Sequence, residues 1–155
     1  MKLIYVFLIA AICLLGTTFA QTASKQRLVG NLRNKRLVDG CGCYFQFPGS
    51  KKNSEDYLFV SSLEENEKTA WMNIDGRDVK LRLVREVAGK GRERVGSRSS
   101  KSFTGGDVTV MSTYVATRVC AYNDESCEAT DYAAIFVVRK SNRVQTVKAV
   151  GGCGC

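Results

Sequence analysis

Ala70-Trp71-Met72-Asn73-Ile74-Asp75-Gly76-Arg77-Asp78-Val79-Lys80-Leu81-Arg82-Leu83 is the stretch that sets the fold class. Two extended runs flank Asp75-Gly76. A two-residue type I′ turn needs positive φ at both centres, and Asp-Gly supplies it. After the turn Val79, Leu81 and Leu83 alternate with Lys80 and Arg82, so one face is apolar and Arg77, Lys80 and Arg82 meet water. This is a β-hairpin with one buried side.

The same reading extends in both directions. Cys43-Tyr44-Phe45-Gln46-Phe47 is aromatic-rich and stops at Pro48-Gly49, a turn signal. Tyr57-Leu58-Phe59-Val60 is a compact apolar run. Asp107 to Cys120 carries Val108, Val110, Met111, Tyr114, Val115 and Val119. Tyr132 to Arg139 is continuously apolar, which predicts a strand buried on both faces. Arg143 to Val150 alternates again. About seven mostly antiparallel strands with little helix predict an all-β small barrel or sandwich. Lys90 to Gly106, rich in glycine, serine and cations, reads as one long mobile loop.

The chain opens on Met1-Lys2 and an apolar run from Leu3 to Gly16, then Thr17-Thr18-Phe19-Ala20. That is the pattern of a signal peptide over residues 1–20, cut after Ala20. No other stretch is apolar enough to span a bilayer, so no transmembrane segment is expected after its removal. Residues 21–39 form a basic lead-in, either a short helix or irregular. Residues 40–155 form a single β domain. The expected location is periplasmic or secreted.

The full chain carries a net charge of +8, and loss of Lys2 with the leader leaves +7. Such a surface favours anionic partners: an anionic envelope component or an acidic protein. Nucleic acid is disfavoured, because the basic loop lacks interleaved aromatics and the protein is exported. Arg92, Arg94, Arg98 and Lys101 in that loop are the candidate anion- or partner-binding residues. The chain has no histidine. That excludes a Ser-His-Asp triad, a Cys-His pair and His-ligated zinc. With no recognisable catalytic motif, the chain reads as a non-enzymatic binding or structural protein of the periplasm or extracellular space.

The six cysteines after the leader fall into three pairs. Val38-Asp39-Gly40-Cys41-Gly42-Cys43 matches Val150-Gly151-Gly152-Cys153-Gly154-Cys155 at five of six positions. The two hexapeptides are expected to meet in space. As antiparallel neighbours they would join Cys41 to Cys155 and Cys43 to Cys153, since residues i and i+2 share one strand face. Cys120 and Cys127 bracket a polar loop and suit a hairpin staple. Export makes oxidation the leading reading. Two alternatives stay open for Cys41, Cys43, Cys153 and Cys155: a four-thiolate site for zinc or copper(I), and thiol–disulfide exchange. In the leading reading there is no cofactor.

The hairpin at Ala70 to Leu83 also resembles part of the periplasmic inhibitors of C-type lysozyme, which are small exported β-barrels. The resemblance spans fourteen residues. It implies a β-barrel and, as an alternative function, a lysozyme-inhibitor-like protein. The family's Ser-Gly-x-x-Tyr stretch after that hairpin is absent; the chain reads Val87-Ala88-Gly89-Lys90-Gly91 there.

Overall fold

The computed structural model describes residues 27–155, apart from 38–39, 52–53, 64–67, 90, 122 and 125. The signal-peptide expectation for residues 1–20 and the first part of the lead-in lie outside the described residues. Nine strands follow in order: β1 (Val29–Gly30), β2 (Gly42–Gln46), β3 (Tyr57–Ser62), β4 (Thr69–Ile74), β5 (Arg77–Val87), β6 (Arg98–Gly105), β7 (Val108–Arg118), β8 (Ala129–Lys140) and β9 (Arg143–Gly154). Among the described residues there is no helix.

Strands β2 to β9 run as an antiparallel meander that closes on itself, because β9 returns to pair with β2. The result is an eight-stranded barrel, one strand more than the alternating runs alone predict. β1 is a ninth, short piece that pairs Val29 with Ile74 and Gly30 with Asn73. The Asp75-Gly76 turn is as its dipeptide dictates, with φ of 50° and 74°. It registers Trp71 against Lys80 and Ala70 against Leu81.

An eight-stranded barrel encloses a space that side chains fill. Here the filling is aromatic. Phe59 stacks within 4.8 Å of Phe136 and 5.4 Å of Phe103; Phe45 lies 5.6 Å from Phe136 and 5.3 Å from Tyr114. Large rings need small neighbours. Gly151 stands opposite Phe45, and a Cβ there would come within 2.0 Å of the Tyr44 carbonyl and 2.9 Å of the Phe45 ring. A Cβ on Gly105 would meet the Lys80 carbonyl at 2.3 Å.

The two ends of the barrel differ. One end is plugged by the described part of the lead-in. Leu28, Val29 and Leu32 are buried there. The Leu28 and Val29 N–H groups donate to Gln145 Oε1 at 2.7 and 3.1 Å, and the Arg33 and Asn34 N–H groups donate to the Asp78 carboxylate. Asp75 beside this plug pairs with Lys140 at 3.0 Å and Arg143 at 2.7 Å. The described part of the lead-in, residues 27–37, is therefore a plug with one short strand and contains no helix. Its apolar residues serve the barrel end and not a helical face.

Two further expectations are corrected. The mobile loop predicted over Lys90 to Gly106 ends early, because Arg98–Gly105 is strand β6, paired on both sides. Its polar composition hid it: the inward positions Ser99 and Lys101 face an open, polar part of the interior, and only Phe103 reaches the apolar core. Likewise β8 is buried on one face only. Ala134, Phe136 and Val138 point inward, whereas Ile135 is 45% exposed on the outer wall. A barrel has one interior, so an unbroken apolar run does not bury both sides.

Two predictions follow from this packing. Gly151→Ala should cost roughly 2–4 kcal/mol in chemical unfolding, as a clash against backbone in a filled core, whereas Gly49→Ala, which meets no neighbouring atom but holds a φ of 83°, should cost only the roughly 1–2 kcal/mol of the left-handed conformation. The Asp75 carboxyl is held below the usual carboxylate range by hydrogen bonds from Lys140 and Arg143. For Asp78 burial pushes upward, but the N–H of Asn34, the Asn73 amide and the N–H of Arg33 more than offset it. Both lowered groups stabilise the fold above the unfolded carboxylate pKa of about 3.9, and that contribution is lost as pH falls through their folded values. Thermal unfolding should be pH-insensitive between about pH 5 and 7 and weaken below about pH 4. Asp78→Asn should flatten that acid limb.

Candidate functional site

The open end of the barrel carries the connections β3–β4, β5–β6 and β7–β8, together with Cys41 and Cys155. Here β2 and β9 register Cys43 opposite Cys153. Disulfides join Cys43 to Cys153 and Cys41 to Cys155, with Cα separations of 4.0 and 4.1 Å. Those are the spacings of non-hydrogen-bonded antiparallel pairs, where side chains stand closest. The matched Cys-Gly-Cys arms thus lie side by side across the seam that closes the barrel. A third disulfide joins Cys120 to Cys127 between β7 and β8. Arg118 bridges that staple to Asp131, donating to its carboxylate and to Cys127 Sγ.

All four sulfurs of the Cys-Gly-Cys arms are spent in bridges. A zinc or copper(I) centre at Cys41, Cys43, Cys153 and Cys155 requires both to be reduced first. Among the described residues no cluster of three or more Cys, Asp or Glu side chains is placed to hold a metal ion.

Just inside the seam is a cavity of about 310 Å³, lined by Leu63, Tyr114, Tyr132, the Cys43–Cys153 pair and the β5–β6 connection with its flanking strands. β5 and β6 turn ionic side chains inward at this level. Glu86 and Lys101 are cross-strand partners and form an ion pair of 3.1 Å. The Leu83–Arg85 bulge is what aims Glu86 inward: it inserts Val84 and shifts the alternation by one. Ser112 Oγ donates to the Lys101 carbonyl and fixes the strand beneath it.

The segment Gly91–Ser97 folds against this mouth. The Gly96 N–H donates to the Ala116 carbonyl, and the Ala116 N–H donates to the Ser97 carbonyl. Tyr132 Oη donates to both Glu93 carboxylate oxygens at 2.9 Å. Burial pushes the Tyr114 phenol upward. Burial first, and Glu93 second, do the same for Tyr132. Both phenols therefore remain protonated donors across the physiological range.

Of the four basic residues singled out by sequence, Arg92, Arg98 and Lys101 line the cavity, while Arg94 does not. Tyr114, Tyr132, Glu86 and Glu93 are site residues that sequence reasoning missed. The tyrosines sit on ordinary core-facing strand positions, and Glu86 faces inward only because of a bulge that no local residue signals. A larger depression of about 850 Å³ borders the plug between Arg27–Leu28 and Asn142–Thr146. The aromatic residues Phe45 and Phe59 are core, whereas Tyr44 and Tyr57 pair on the outer wall at 5.2 Å. Comparison with protein-family models, curated proteins and solved structures finds no match for this chain.

The paired bridges make a stability prediction. Each alone closes a loop of more than a hundred residues, worth about 4.7 kcal/mol by chain entropy. Once one is in place, the other closes only a few residues and adds on the order of 2 kcal/mol. Cys41→Ser with Cys155→Ser should therefore cost about 2 kcal/mol, and replacing all four about 7 kcal/mol, when unfolding is followed in denaturant. A fourfold variant that costs no more than the sum of the two single-bridge losses would contradict this coupling.

Proposed function

We propose that this chain is an exported, non-enzymatic binding barrel whose ligand enters the open end, beside the disulfide-bridged seam. The observation that carries the reading is the change in the inner wall along the barrel axis. From Phe103 through Phe59, Phe136 and Phe45 the interior is filled and apolar. At Tyr114, Tyr132, Lys101 and Glu86 it becomes a cavity with polar groups aimed inward. Small-molecule sites have this character: a concave apolar wall with a few placed polar groups, roughly 300–1,000 Å³ in volume. Rigid strands, pinned by two bridges, hold those groups in place. The three disulfides fit an oxidising compartment, which supports the periplasm or the extracellular space as its location.

Titration with a panel of neutral and charged fragments, followed by NMR, tests the reading. Shifts should concentrate at Leu63, Ser99, Lys101, Tyr114 and Tyr132. Ser99→Phe, which fills the mouth from β6, should abolish them while leaving the barrel spectrum intact. Shifts confined to the outer wall, or unaffected by Ser99→Phe, would refute it. Intact mass of protein purified from its native compartment should start at Gln21 and lie about six hydrogens below the reduced chain.

A further inference from the structure

We infer that the mouth takes a small carboxylic acid with an apolar or aromatic body, and that Glu93 is an internal stand-in which such a ligand displaces. This rests on the mouth being a ligand site and names the ligand's class. The cavity already holds two carboxylates of the protein itself. Glu86 is on Lys101 at 3.1 Å, and Glu93 has both oxygens at 2.9 Å from Tyr132 Oη. The two differ in how they are held. Glu86 is part of the β5 ladder. Glu93 is carried by the short segment Gly91–Ser97, whose backbone is tied to β7 through Gly96 and Ser97.

Gly91 and Gly96 bracket Glu93, with φ of 79° and 86°. Both are conformations that glycine adopts without steric cost. Glu93 can therefore leave by a local change at two glycines while the barrel stays closed. What it gives up is its hydrogen bond from Tyr132, and an incoming carboxylate replaces that bond. The ligand's body then meets Leu63, Tyr114 and the Cys43–Cys153 pair.

A monoanion fits this exchange. Lys101, which turns inward beside the cavity, already holds Glu86, and a single carboxylate that takes the place of Glu93 on Tyr132 leaves the charge among these groups unchanged. The Tyr132 phenol supplies the donor for the ligand carboxylate, and the Lys101 ammonium lines the same cavity.

Benzoate and its neutral isostere benzamide, titrated by NMR into the full disulfide-bonded protein, test the inference. Benzoate should bind about tenfold more tightly than benzamide, as expected for a charge-assisted contact. Glu93→Gln removes the competing carboxylate and should tighten benzoate about tenfold, leaving benzamide unchanged. Tyr132→Phe should weaken benzoate about tenfold, because it removes the donor both carboxylates use. Opposite signs for the two variants distinguish displacement from a simple latch, in which loss of either partner loosens the mouth in the same way. If Tyr132→Phe does not fold, Lys101→Gln gives the same weakening. Equal binding of benzoate and benzamide, unmoved by Glu93→Gln, overturns the carboxylate and leaves the mouth as a site. No shift at the mouth with any fragment, neutral or charged, overturns the mouth reading as well.

Discussion

The β2–β9 seam is the interaction on which the rest of the molecule depends. A meander of eight strands becomes a barrel only when its first and last members pair, and here they are more than a hundred residues apart in sequence. Until that happens the sheet has two open edges, each a template for pairing with another chain. The seam is poor in side chains: Gly42 faces Gly154, Tyr44 faces Gly152 and Phe45 faces Gly151. Glycine lets the Phe45 ring lie across the junction, but it leaves little side-chain pattern to choose among registers. The two disulfides supply that choice covalently. They sit on consecutive same-face positions, so only one register satisfies both.

How much of this was legible in sequence varies by element. The Asp75-Gly76 hairpin was, because turn chemistry and alternation are local. The meeting of head and tail was also legible, because the hexapeptide that ends in Gly-Cys-Gly-Cys is a non-local signal written twice. Strand β6 was not. Alternation is read as apolar against polar, and Ser99 and Lys101 face inward without being apolar. The plug was not legible either, since Leu28, Val29 and Leu32 take their place from the barrel end they cover. Ile135 shows the opposite failure: its position in an apolar run predicts burial, but it lies on the convex wall.

The functional reading grows out of the same geometry. One end of the barrel is stopped by its own lead-in and by Asp75 and Asp78, whose lowered pKa values couple that closure to acid. The other end is held open and rigid by the paired bridges, and there the inner wall turns from phenylalanine to tyrosine, lysine and glutamate. Three of the four basic residues that sequence marked as an anion-binding loop reach this mouth. They do so as part of a strand and its connection, and one of them, Lys101, is paired with Glu86. A cavity of this size suits the small ligand proposed above better than a polyanion.

The central claim is that the bridged seam, and not side-chain packing along it, holds the barrel shut. Amide hydrogen exchange before and after mild reduction tests it most directly. The account predicts that reduction strips protection from the seam amides of 43–46 and 150–154, while the β7–β8 ladder keeps most of its own. Seam amides that stay equally protected after all three disulfides are reduced would contradict it.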